Sequence, residues 1–164
     1  MMLRSLVFTF FVCAVSCGTP KGQLTEPRPA AEPTPEVLNE MWSWKTHAGT
    51  HLITDGWNIK TTITYDHIVD SLPNFYESLL KHYSTVFGEL PYPRERLNVF
   101  LFADEMQWKQ KVSELLGTEA SQWGGLGRGG LTIDGTAVLF HLDSRGRSRA
   151  TFRIAAHEGW HQYA

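Results

Sequence analysis

The chain of 164 residues sets 15 Lys and Arg against 17 Asp and Glu, for a formal net charge of −2 with its 7 His neutral. So even a balance gives no electrostatic footprint for nucleic acid as a partner. Both cysteines, Cys13 and Cys17, stand near the N-terminus, so no disulfide can staple the rest of the chain, and a packed core must hold it.

In Met1–Ser16 a single positive charge, Arg4, precedes the apolar run Leu6–Val15, which is far short of the ~20 residues that span a bilayer. It reads as a secretion signal. Ala14-Val15-Ser16-Cys17 resembles a bacterial lipobox. That resemblance implies that Cys17 becomes the lipidated first residue and anchors the protein to a membrane of the bacterial cell envelope, on its periplasmic or outer face. Ordinary signal-peptidase cleavage is the alternative. Loss of Arg4 with the leader takes the net charge to −3, from 14 basic and 17 acidic residues. Residues 17–36 hold five of the eight prolines, Pro20, Pro27, Pro29, Pro33 and Pro35. Such a stretch favours an extended membrane tether reaching up to roughly 60 Å at about 3.1 Å per residue. Residues 37–164 remain for one domain, with no internal repeat.

Trp42 and Trp44 read as packing at the domain edge. His47 and His51 are four apart, but Gly49 and the adjoining strand pattern argue against a shared helical face and so against a second metal site. His51–Thr54 and the alternating run Trp57–Thr64 flank Asp55-Gly56, which predicts a type I′ β-hairpin with one buried face. Ser71 is placed to cap a helix with Pro73 in its first turn. Leu72, Phe75, Tyr76, Leu79, Leu80, Tyr83, Val86 and Phe87 then recur at helical spacing until Gly88, a core stripe. Leu97–Phe102 reads as a buried strand, and Asp104 opens a second helix that closes at Gly117. The glycines between Trp123 and Gly130 lack the Lys-Ser/Thr ending of a phosphate loop and mark hairpin turns or a flap. Thr136–Leu142 is a further strand. Arg145, Arg147, Arg149 and Arg153 follow as a solvated loop and helix start, with the steering of acidic substrate groups as the second reading.

The last element carries the chemistry. Ala155-Ala156-His157-Glu158-Gly159-Trp160-His161-Gln162-Tyr163 contains HExxH. On a helix His157 and His161 share a face, so their imidazoles can meet at one metal ion while Glu158 flanks it. Neutral imidazole suits Zn2+, and the displaced carboxylate is free to act as a general base on water activated by the ion. The flanks from Ile154 to Tyr163 hold no proline and no charge beyond the motif itself, as a ligand helix beneath a cleft requires. Gly159 costs about 1 kcal/mol of helix propensity, tolerable where something must approach the backbone closely.

At these residues, and more loosely in its order of strands and helices over about 42–164, the chain resembles the gluzincin metallopeptidases, in particular the peptidase MA-like domains of bacterial envelope proteins. The resemblance implies a zincin-like α+β fold with a small mixed sheet packed on helices. It also implies zinc held by His157 and His161, with Glu158 as catalytic base. The family's third ligand is a glutamate on a later helix, whereas this sequence stops at Ala164. The expectation is therefore the front part of a longer enzyme, in which Glu105 or Asp143 is a remote substitute ligand. The longer metzincin pattern asks for Gly at position 164, where Ala stands. The resemblance further makes residues 136–142 a substrate-aligning edge, an interior strand being the alternative. The expected function is zinc-dependent hydrolysis of peptide bonds in the cell envelope. The alternatives are an inactive zincin-like lipoprotein that binds or scaffolds, and a metal-free domain with a chance motif.

Overall fold

The protein is described by a computed structural model over residues 34–86, 88, 90–120, 129–142 and 148–164. The expected leader, Cys17, most of the tether, Asp143, Arg145, Arg147 and the glycines before Gly129 lie outside the described residues.

Strands β1 (Leu38–Trp44), β2 (His47–Ile53) and β3 (Trp57–Thr61) form an antiparallel meander. A short helix α1 (Asp66–Val69) and a long helix α2 (Leu72–Val86) lead to β4 (Leu97–Phe102), which pairs parallel to β3. Helix α3 (Glu105–Leu116) is followed by the antiparallel hairpin β5 (Gly130–Ile133) and β6 (Thr136–Phe140), and then by α4 (Arg149–Tyr163). β6 lies parallel to β4, giving one mixed six-stranded sheet in the order β1-β2-β3-β4-β6-β5.

The pleat divides the core in two. Leu52, Trp57, Ile59, Val99, Leu101, Ala137 and Leu139 form one face, which meets Tyr76, Leu80 and Tyr83 of α2 and Ala155 of α4. Trp44, Phe102, Val138 and Phe140 form the other and meet Trp108 and Val112 of α3. Cover on both faces explains why Val99–Phe102 of β4 reads as a continuous apolar run and not as an alternation. The architecture is thus α+β, with α2 and α4 on one side of the sheet and α3 on the other. Among the described residues no helix is long and apolar enough to cross a membrane.

Several local expectations need correction. Asp55-Gly56 does join two strands, but neither residue has a positive φ, so the turn is not type I′. A main-chain bond from the Thr54 amide to Trp57 O at 3.0 Å closes it, reinforced by side chains. The Trp57 amide donates to Thr54 Oγ1 at 3.2 Å, and the Gly56 amide donates to Glu77 Oε1 at 2.9 Å. Gly56 is required by proximity, since a Cβ there would stand 2.3 Å from Leu80 Cδ2 of α2. A true left-handed pair, Asp134 at φ 44° and Gly135 at φ 72°, makes the β5–β6 turn. β2 begins at His47, not His51, because it also pairs with β1, a strand absent from the sequence reading. Ser71 does not cap α2; its hydroxyl donates back to Ile68 O at 2.7 Å. Asp104 does cap α3, accepting from the Gln107 amide, and Gly117 ends that helix at φ 55°.

Candidate metal centre

Helix α4 follows directly on the parallel strand β6 and lies over the sheet beside α2. Its inner face is small. Thr151 and Ala155 are buried, and at Gly159 a Cβ would stand 3.0 Å from Tyr83 Oη and 3.3 Å from Trp57 Cη2. The glycine that weakens the helix therefore lets its backbone settle onto two core aromatic rings. Tyr83 fastens the seat by donating its hydroxyl to Ala156 O; burial pushes this phenol well above its ordinary pKa, so it remains a donor.

The opposite face is exposed and carries Arg153, His157 and His161, each one turn from the next. The two imidazoles meet edge to face, with Nε2 of His157 3.2 Å from Nε2 of His161. Two nitrogens bound at about 2.0–2.1 Å to a tetrahedral ion stand roughly 3.3–3.4 Å apart. The pair thus has the spacing of two ligands on one zinc.

Glu158 points elsewhere. It is only 7% exposed, and its Oε2 accepts from the Thr132 hydroxyl at 2.8 Å, while that hydroxyl also lies 3.1 Å from Glu158 O. Thr132 belongs to β5, one of the two edge strands of the sheet. Gly130 lets that strand run tight against α4, because a Cβ there would stand 2.6 Å from Ile154 Cγ2 and 2.9 Å from Glu158 Cγ. Together Gly130, Leu131, Thr132, Ile154, His157, Glu158 and His161 line an open cleft of about 650 Å³. A groove of about 430 Å³, lined by Ala150, Arg153, Ile154 and His157, continues it along α4.

At its C-terminal end the helix is clamped. The Gln162 amide donates to Asn98 O at 2.7 Å and to Gly135 O at 2.8 Å, and the Tyr163 hydroxyl donates to Pro91 O at 3.1 Å.

Of the two readings of residues 136–142, the interior strand is the one observed: β6 is flanked by β4 and β5, and the edge on that side of the sheet is β5. The Phe140 amide donates to Gly129 O, so the opposed pairs Leu131/Val138 and Ile133/Thr136 are the bonded ones. The main-chain groups of Gly130 and Thr132 consequently point outward from the sheet. Glu105 is excluded as a third ligand, because it lies on α3 across the sheet and pairs with Lys109 at 2.8 Å. Among the described residues no third His, Cys, Asp or Glu completes a metal group with the histidine pair. His47 and His51 share a strand, as their sequence context suggests, and stand roughly 13 Å apart along it. The roles of Thr132 and Gln162 were missed by the sequence reading, and Gly130 was read only with the glycines of hairpin turns or a flap; the Asp134-Gly135 pair is the signal that could have located the hairpin of Gly130 and Thr132. No family model, curated protein or solved structure matches this chain.

Proposed function

We propose that this protein is a zinc-dependent peptide hydrolase of the zincin type, with the gluzincin arrangement, anchored through Cys17 in a bacterial cell envelope. The observation that supports this best is the 3.2 Å separation of the His157 and His161 nitrogens beside a buried glutamate. In this reading the two histidines hold the ion, and a third protein ligand comes from outside the described residues. When bound, zinc polarises the scissile carbonyl and acidifies water. Glu158 accepts the proton of the attacking water and passes it to the leaving amine. Its bond to Thr132 engages Oε2 and leaves Oε1 to carry that proton. An extended peptide adds to β5 through the outward groups of Gly130 and Thr132, which lays its backbone along the cleft.

The test is zinc content and peptide hydrolysis by the full chain and two variants. Wild type and Glu158→Gln are expected to hold one zinc each, and His157→Ala none. Hydrolysis should fall roughly 10²–10⁴-fold in Glu158→Gln, the range of general-base catalysis. A wild type without zinc would sink the proposal and reduce HEGWH to coincidence. The lack of a third ligand among the described residues favours a second reading, a non-catalytic zincin-like module that binds or scaffolds. That protein would keep zinc yet hydrolyse nothing in any form.

A further inference from the structure

Among the described residues that line the groove continuing the cleft along α4, Arg153 is the one Lys, Arg, Asp or Glu. It is exposed, stands on the helix face of His157 and His161, and makes no hydrogen bond or ion pair among the described residues. The local field favours an anion there. α4 begins without a side-chain cap, and its first turn holds Arg149 and no acid, contrary to the preference of the helix dipole for negative charge at that end. Ala150 and Ile154 supply apolar lining beside it, against which the aliphatic part of a peptide can rest.

We propose that Arg153 forms a subsite for a carboxylate of the peptide substrate. The site selects acidic peptides, whether the carboxylate is a side chain or the chain terminus. The distance is set by the helix. Arg153 lies six residues, or about 9 Å, along the axis from the midpoint of the histidine pair, which is two to three residues of extended chain. A carboxylate two or three positions from the scissile bond therefore meets the guanidinium, which can accept it with two parallel hydrogen bonds. This inference rests on the peptidase reading for its substrate but not for its test, which needs neither metal nor turnover.

NMR titration of the metal-free full chain with hexapeptides of Ala and Leu measures the preference directly. One series is C-terminally amidated and carries a single Glu, moved through each position, with Gln in its place as control; a second is neutral with a free C-terminal carboxylate. At low salt the best Glu peptide is expected to bind about fivefold tighter than its Gln partner, as for a partly exposed ion pair. That preference should vanish in Arg153→Gln and turn toward Lys peptides in Arg153→Glu. Preference in the amidated series alone assigns a side-chain subsite, and preference for the free carboxylate alone assigns a terminus. Equal binding of acidic and neutral peptides, or a preference that survives Arg153→Gln, overturns the proposal. Because Arg153 is exposed, unchanged melting of both variants checks that they are folded. Acid-selective binding without zinc or hydrolysis would refute the peptidase and leave the subsite standing.

Discussion

At the scale of single residues, the pairing of Thr132 with Glu158 is the most consequential contact. A buried carboxylate without a partner is costly, and one threonine hydroxyl on a strand both satisfies Oε2 and fixes the rotation of the group. In the proposed hydrolase this makes Thr132 a positioning residue. Thr132→Val, which preserves shape and removes the hydroxyl, is expected to lower kcat about 10–100-fold, as loss of supporting hydrogen bonds does around metal sites. Zinc content and KM should stay unchanged, and Thr132→Ser should restore most of the rate. Steady-state kinetics with parallel zinc analysis reads all three, and an equal loss in the serine variant would count against the hydroxyl. The histidine pair and Glu158 were legible in the sequence because four-residue spacing on a helix is a local property. The threonine was not, since its contact crosses 26 positions and depends on how β5 lies against α4.

At the scale of elements, the fit of β5 on α4 depends on what is missing at position 130. A valine there would drive its side chain into Ile154, Leu139 and Glu158, all within 2.9 Å of the added Cβ. Gly130→Val should destabilise the fold by about 1–3 kcal/mol, the usual cost of overpacking, and slow the proposed hydrolysis by displacing Thr132. Urea unfolding and the activity assay check the two effects. Helices α2, α3 and α4 and strands β3, β4 and β6 were readable because each carries a local signal, a helical or alternating period, a cap, or a short apolar run. Which strand forms the edge was not, because that depends on neighbours distant in sequence: β6 is the more apolar of its hairpin and lies inside, and short β5 guards the rim. The two Asp-Gly pairs make the same point. One adopts the left-handed turn and the other does not, since Glu77 and Leu80 of α2 dictate the second.

At the scale of the whole molecule, Trp57 joins the layers. It is completely buried on β3, packs against Tyr76 of α2 with ring centroids 4.7 Å apart and planes tilted by 49°, and lies beneath Gly159 of α4. Trp57→Ala should cost about 3–5 kcal/mol, a large part of the 5–15 kcal/mol typical of a domain. The expected outcome is a much lower denaturation midpoint, with the proposed zinc binding lost in the same transition rather than before it. Layering on both faces also separates what the chain order places close together. Glu105 follows β4 by only a few residues, yet α3 carries it to the far side of the sheet from the histidines.

The β5–β6 hairpin is tied to α4 at two points, by Thr132 at Glu158 and by Gly135 at Gln162. Two pins set both the offset and the angle between strand and helix, so hairpin and helix behave as one lever. In the proposed hydrolase, a peptide pairing with the rim would thereby be set in register with the carboxylate. The length of the Asp134-Gly135 turn is then a calibration of the site: one residue more would keep the first pin, shift the second out of reach, and turn the lever into a hinge.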